Sequence, residues 1–310
     1  FRPNTGRLPW WLFAPSRRIP GVRLTDYLQG LRLMRAGEGD RVGEVLPANT
    51  EIYRRLWQPL ATAALNTEPV QGSARLLAHV LAETFGAGGA ACLPLVPREG
   101  LSESLVDPAL ATLEKRRASV RFGRLLRAIG GAGDRVAALR FEDGDEAIGA
   151  DHAVVLAVPS AVAPRLLSEI DAPDEFRAIL NAHFLADAPD TTPPFVGLIG
   201  GTAEWVFRKR GVLSVTVSAA DRFMDTPASD LAPLLWRDVC AAFDLGARDL
   251  PRWQIVKERR ATFAATPEQN RKRPPARTSW RNLVLAGDWT DTGLPATIAG
   301  FAARGDAPQW

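Results

Sequence analysis

The sequence predicts an α/β protein in which α/β material of nucleotide-binding type is interleaved with a second, α+β domain. Three observations carry this expectation. Along the 310 residues, helical and alternating-strand segments swap places twice with segments built on short, continuously apolar strands. Near the end, NLVLAGDWTDTGLPATIAG (Asn282 to Gly300) runs as an apolar strand, Gly-Asp, a turn and a helix start. That is the shape of a ligand-contacting crossing in an open α/β sheet. Finally, 46% hydrophobic and 24% charged residues are the composition of a globular chain with a sizeable core.

The first ninety residues read as helical. LTDYLQGLRLMRAG places Leu24, Tyr27, Leu28, Leu31 and Met34 at helical spacing. In ANTEIYRRLWQPLATAALN, Asn49 or Thr50 is the N-cap candidate, and Ile52, Leu56, Leu60 and Ala63 share a face. GSARLLAHVLAETFGAGG starts at Ser73 and stops in glycines. Those glycines, Gly86 to Ala91, formally match a G-x-G-x-x-G/A dinucleotide fingerprint. The fingerprint needs a strand before it and a helix after it; here a helix precedes and two prolines follow, so this is a helix terminator.

A helix opens at Ser102, with a break expected at Pro108. Strands are expected at Ser119 to Phe122, Arg135 to Gly144 and His152 to Pro159. The second alternates and ends in an EDGD turn, as a half-exposed hairpin strand does. The third is continuously apolar, which predicts burial on both faces. Between Asp174 and Thr278, Phe195 to Gly201, Glu204 to Ala220 and Arg252 to Ala265 predict an antiparallel sheet, with Ala228 to Gly246 as an amphipathic helix against it.

Several function classes are disfavoured. The net charge is +3, and 38 basic residues are offset by 35 acidic ones with no polybasic tract beyond RKRPPAR (Arg271 to Arg277) and FRKR (Phe207 to Arg210). Nucleic acid is therefore not an expected partner. Cys92 and Cys240 make no disulfide framework and suggest a reducing, cytoplasmic compartment. His79, His152 and His183 sit in no metal-ligand spacing, so no metal is expected. A serine-hydrolase G-x-S-x-G elbow is absent. No run reaches the roughly 18 apolar residues of a membrane span. The chain opens on Phe1 rather than on methionine, and the expectation is a piece of a longer protein.

The chemistry of the C-terminal crossing is more specific. Gly287 permits close approach of backbone to a ligand. Asp288 offers a carboxylate at the carboxyl end of the strand, where it accepts hydrogen bonds from hydroxyls and repels anions. Gly293 and Pro295 shape the turn, and a helix from about Ala296 would present free N–H groups to an electron-rich part of a ligand. A reduced flavin dinucleotide carries both a polyol and such a ring. The bland reading is that Asp288 is a turn residue and the helix only packs.

LAGDWTDTGLPATIAG closely resembles the C-terminal flavin motif of the FAD-dependent amine oxidase and carotenoid desaturase superfamily. LWQPLATAALNTEP, SARLLAHVLAETF, PREGLSESLVDPALATLE, VVLAVPSAVAPRLL and PPFVGLIGGTAEWVF are similar to its squalene-associated branch, the hydroxysqualene dehydroxylases, in order along nearly the whole chain. The resemblance implies a Rossmann-like FAD domain, without its first βαβ unit, in segments 97–170 and 281–310. It implies a substrate domain with its helical part in 1–96 and its sheet part in 171–280. FAD would be the cofactor. Gly287 and Asp288 would meet its ribityl or pyrophosphate region. Pro295 and the backbone of Ala296, Thr297 and Ile298 would face the pyrimidine edge. Leu126 would lie where the superfamily holds adenine, and Pro159 would mark the strand end leading back to the substrate domain.

The resemblance further implies reduction of hydroxysqualene, a long-chain isoprenoid, to squalene with loss of water, as a step of hopanoid biosynthesis. Peripheral contact with the inner membrane face goes with so apolar a substrate; no oligomeric state is assigned. Trp205 and Trp289 are candidates to line an apolar channel, with core packing the commoner role for either. Two other readings stand beside this one: a carotenoid desaturase of phytoene type, and a non-catalytic remnant. The sequence departs from the family in lacking the glycine-rich loop, so the piece alone is expected to be inactive. Ala299 replaces a glutamate, and the tail FAARGDAPQW is atypical.

Overall fold

A computed structural model describes residue 6, residues 8–97 and residues 99–297. Ile298, Ala299 and the tail noted above lie outside the described residues. In chain order the strands are β1 (Leu126–Ala132), β2 (Arg135–Phe141), β3 (Gly144–Ala147) and β4 (Val154–Leu156). They continue as β5 (Phe176–Phe184), β6 (Phe195–Gly197), β7 (Trp205–Lys209) and β8 (Val212–Val217). The last two are β9 (Trp253–Phe263) and β10 (Leu283–Leu285). Among the described residues the chain divides into two compact units, one comprising the segment up to Leu93, Pro173–Lys272 and residues 293–297, the other Pro94–Ala172 with Arg273–Thr292.

In the first unit, a five-stranded antiparallel sheet of order β6-β7-β8-β5-β9 carries the helix Ala228–Ala242 on one face. Strand alternation sends Ala178, Leu180, Ala182 and Phe184 of β5, with Val215 and Val217 of β8, into one core with Leu231, Leu235, Trp236 and Val239 of the helix. Each fully buried leucine or valine contributes about 1.5–3 kcal/mol. The helical segments are capped by polar side chains, one of which, Asn66, also reaches the sheet. Thr50 Oγ1 accepts the Tyr53 N–H at 3.3 Å, and Ser73 Oγ accepts the Leu76 N–H at 3.3 Å. Asn66 ends the helix Gln58–Leu65 in the left-handed region, with φ 46°. Its buried amide donates to the Arg177 carbonyl (3.3 Å) and to Thr262 Oγ1 (2.9 Å) and accepts the Ala219 N–H (2.7 Å).

The second unit holds a β1-β2-β3 antiparallel meander and a parallel pair, β10 beside β4. Asn282 ties the two. Its buried side chain accepts the Val136 N–H (2.8 Å) and donates to the carbonyls of Val136 (3.0 Å) and His152 (3.3 Å).

Three expectations are corrected here. Ser119 to Phe122 is exposed and not a strand; pairing begins at Leu126. Val155 of β4 is 61% exposed while Val154 and Leu156 are buried, so only one face of this strand is covered. Pro108 does not break its helix. A wide π-type turn at Ser102–Val106 passes directly into Asp107–Lys115, and the helix changes its hydrogen-bond spacing just before Pro108, which accommodates the missing N–H without ending the helix.

Candidate functional site

The crossing expected to carry the chemistry is built on the parallel pair. Leu283, Val284 and Leu285 pair in register with Val154, Val155 and Leu156, and the Ala286 N–H extends the ladder to the Leu156 carbonyl at 3.0 Å. The chain then turns at Gly287, whose φ of +154° and surroundings both require glycine. A Cβ there would lie 2.5 Å from Trp289 Nε1. Trp289 is 2% exposed, and its indole N–H donates to the Val158 carbonyl at 2.8 Å. This bond brings the ends of the two parallel strands together, so Gly287 and Asp288 lie beside the Val158–Pro159 turn. Trp289 is therefore a packing and hydrogen-bonding residue of this turn, not a channel wall. Pro159 is exposed, and its carbonyl accepts the Val162 and Ala163 N–H groups at the start of the next helical turn.

The turn after Gly287 is tightly bonded. Thr290 returns both its N–H (3.2 Å) and its hydroxyl (2.8 Å) to the Gly287 carbonyl. Arg273, only 5% exposed, lies beneath it. Its Nη2 donates to the carbonyls of Asp288 (3.3 Å) and Thr290 and to Thr292 Oγ1 (3.2 Å). Burial pushes the guanidinium down to about 10, against the pull of the Asp291 and Asp288 carboxylates, so it stays cationic at neutral pH. Asp288 is half-buried. Burial pushes its carboxyl up, while its own backbone N–H, Arg273 and the Trp289 N–H hold it back. Arg273 was hidden in RKRPPAR, a tract that reads as solvated charge. The signal available was its position ten residues before β10, because that loop returns along the strand with the Leu285 N–H bonded to the Ala276 carbonyl (2.8 Å).

The other expected site residues fall elsewhere. Leu126 opens β1, half-buried and paired with Phe141, in the meander rather than in the parallel pair. Pro295, Ala296 and Thr297 belong to the first unit, where the Thr297 N–H reaches the Pro295 carbonyl at 2.8 Å in a tight turn. No helical turn is present at Pro295 to Thr297, and the rest of the stretch expected as a helix, Ile298 included, lies outside the described residues. In the same unit His79 Nδ1 bonds the carbonyl of Gly293, which has φ +77°.

Several cavities lie within the first unit. One, of about 470 Å³, has the charged side chains of Glu204 and Arg222 beside Trp205 and Thr62 on its wall. Another, of about 290 Å³, is apolar, with Trp11, Leu31, Met34, Leu56, Trp57 and Phe85 among its lining residues. No group of three or more His, Cys, Asp or Glu suited to a metal occurs among the described residues, and both cysteines are free. Among the described residues no helix is long and apolar enough to cross a membrane.

A carboxylate at the mouth of a parallel pair, with a buried cation behind the same turn, suits a ligand that joins hydroxyls to an anionic linkage. The ribityl–pyrophosphate part of a flavin dinucleotide has that chemistry, so the residues present fit the group. The chain belongs to the flavin containing amine oxidoreductase family, whose pattern matches residues 26–305. It is thereby an oxidoreductase of the flavoenzyme class. Within that class it is 49% identical over 301 residues to the hydroxysqualene dehydroxylase of Sinorhizobium fredii, spanning 97% of this chain and 72% of that relative. It is 41% identical over 295 residues to the hydroxysqualene dehydroxylase of Zymomonas mobilis, spanning 95% and 71%. Among solved structures, an oxidoreductase from Methanosarcina mazei superposes with a TM-score of 0.67 at 14% identity, over 93% of this chain and 72% of that one. A redesigned putrescine oxidase superposes with a TM-score of 0.54 at 11% identity, over 87% and 71%. These likenesses place the α/β flavoenzyme fold, as the sequence predicted.

Proposed function

We propose that the protein is an FAD-dependent enzyme that reduces hydroxysqualene to squalene with release of water. The observation that carries this is the 49% identity, sustained over 97% of the chain, to a hydroxysqualene dehydroxylase. The Asp288 turn supports the cofactor half of the reading. In the reaction an allylic C–O bond breaks, a C–H bond forms at the same carbon, and the hydroxyl leaves as water after taking up a proton. Reduced flavin, when bound, supplies the hydride.

The chain's own residues do the binding and positioning. Asp288 accepts hydrogen bonds from ribityl hydroxyls, and Gly287 lets the backbone turn without a side chain in the way. Arg273 holds the Asp288–Thr292 loop in shape and offsets the charge of the pyrophosphate. Pro295 and the backbone of Ala296, Thr297 and Ile298 are assigned to the pyrimidine edge, Leu126 to adenine, and Pro159 to the return toward the substrate domain. All six rest on the resemblance of their motifs. The first unit is assigned as the substrate domain, and its apolar cavity offers apolar walls for part of an isoprenoid chain. A substrate that partitions into lipid calls for peripheral contact with a membrane.

The test is product analysis. Flavin-loaded, full-length protein with a chemical reductant and hydroxysqualene is expected to yield squalene by gas chromatography–mass spectrometry. Recovery of hydroxysqualene alone, with the flavin reduced throughout, would remove the reading.

A further inference from the structure

Leu24, Leu28, Leu31 and Met34 follow one another at helical spacing, and a stripe of that kind ordinarily faces a core. Here it is left outside. Leu28, Leu31 and Met34 are each more than half exposed, as are Leu8, Trp10 and Phe13 in the segment before them. The opposite sides of these segments anchor them. Leu33 is fully buried, and the buried Trp11 packs edge-on against Tyr27 with ring centroids 5.4 Å apart. The Tyr27 hydroxyl accepts the Ile19 N–H at 2.9 Å. The two segments meet at the apolar cavity, which Pro9 and Leu12 line from one and Leu31 and Met34 from the other. A lone exposed leucine is ordinary, but six large apolar side chains on so short a stretch mark an interaction surface.

The charge around this face has one sign. From residue 8 to residue 36 the sequence carries five arginines, Arg17, Arg18, Arg23, Arg32 and Arg35, and a single carboxylate, Asp26. All but the half-buried Arg18 are exposed. Asp26 is taken up at the start of the short helix Leu24–Gln29, where its Oδ2 accepts the Arg23 N–H at 2.8 Å. The next carboxylates are engaged as well, Glu38 with Arg75 at 2.7 Å and Asp40 with the Gly37 N–H at 2.8 Å. Among the described residues none of the five arginines enters an ion pair, whereas Arg41, Arg75 and Arg124 each have a carboxylate partner. Exposed rings and leucines beside uncompensated arginines suit the boundary between anionic headgroups and acyl chains. A symmetric dimer through this face would instead set the same cations against one another.

We propose that this face of the first unit docks on an anionic phospholipid surface. Trp10, Phe13, Leu28 and Leu31 enter the interfacial layer, and the arginines meet headgroup phosphates. The proposal names the surface for the membrane contact that the hydroxysqualene reading calls for, and rests on that reading for its purpose. Leu31 and Met34 belong both to the docked face and to the cavity wall, so the cavity reaches the surface where lipid would lie.

The experiment is flotation of flavin-loaded, full-length protein with vesicles of equal parts phosphatidylcholine and phosphatidylglycerol, or of phosphatidylcholine alone. The wild type should float with the anionic vesicles, and added salt should release it. Phe13→Glu with Leu28→Glu should lower the partition at least about tenfold. Arg23→Gln with Arg32→Gln should lower it about 30-fold, the effect of two charges near an anionic surface. Both variants should keep the wild-type melting temperature, because the four side chains are exposed and none lines the cavity. A wild type that stays unbound, or variants that bind like it, would overturn the inference. A solution dimer that Phe13→Glu with Leu28→Glu turns into monomers would give the face to a second copy. A lower melting temperature in both variants would give it to another part of the chain. Either result removes the lipid assignment. None of these readouts requires turnover. Vesicle binding by a protein that forms no squalene would leave this surface in place and sink the hydroxysqualene reading alone.

Discussion

The indole N–H of Trp289 donates to the carbonyl of Val158 at 2.8 Å, joining two chain segments 131 residues apart in sequence. The bond fixes the turn that carries Asp288 against the end of the neighbouring parallel strand. Trp289→Phe keeps most of the buried ring surface and removes the donor. It should cost about 1–3 kcal/mol, the penalty of an unsatisfied buried carbonyl, seen as a lower urea midpoint at unchanged slope. Gly287→Ala should cost at least as much, because it adds a positive-φ penalty to a 2.5 Å clash with the same indole. Variants as stable as the wild type would show that the turn does not depend on this contact.

Asp288 should reveal a conflict between stability and binding. Its folded carboxyl titrates higher than an unfolded one, so the native state keeps the proton to higher pH. Stability from this group therefore falls as pH rises from the ordinary carboxylate range through the raised value, and the loss is complete above it. Asp288→Asn escapes that loss. The flavin-free variant should melt at or above the wild type at pH 7, and the difference should vanish in acid. The same variant, and Asp288→Ala more so, should lose flavin on desalting, as read from visible absorbance. Undiminished flavin content would remove Asp288 from the cofactor site.

Arg273 should tolerate no replacement, including lysine. A single nitrogen, Nη2, serves the carbonyls of Asp288 and Thr290 and the hydroxyl of Thr292 at the end of a longer, planar group, and the shorter lysine does not match that reach. Arg273→Met should destabilise by about 3–5 kcal/mol, since the carbonyls and nearby carboxylates lose a buried cation. Arg273→Lys should recover less than half of that in denaturant melts. Full recovery by lysine would mean that charge alone matters here.

Legibility in the sequence followed locality. The strand Leu283 to Leu285 and its Gly-Asp turn were readable because an apolar run meeting glycine and aspartate is a local signal. Thr50 and Ser73 were readable as caps for the same reason. Strand β5, Phe176 to Phe184, was not, although it is central to its sheet. Its core positions alternate Ala178, Leu180, Ala182 and Phe184, and the small alanines flatten the two-residue period. Arg273 and Asn282 were also missed as structural residues. Each acts through partners set by tertiary structure, and in sequence one sits in a basic tract and the other beside an arginine. Burial of β4 on both faces was overestimated from its apolar run, because composition alone does not say what covers the second face.

The central claim is that this chain's flavin site serves reduction of an allylic alcohol. Its most direct test is the stoichiometry of one anaerobic turnover, with reduced flavin followed by absorbance and squalene by mass spectrometry. One squalene formed for each flavin oxidised is the expected result. Flavin that stays reduced in the presence of hydroxysqualene, or that is instead reduced by a phytoene-like polyene, would contradict it.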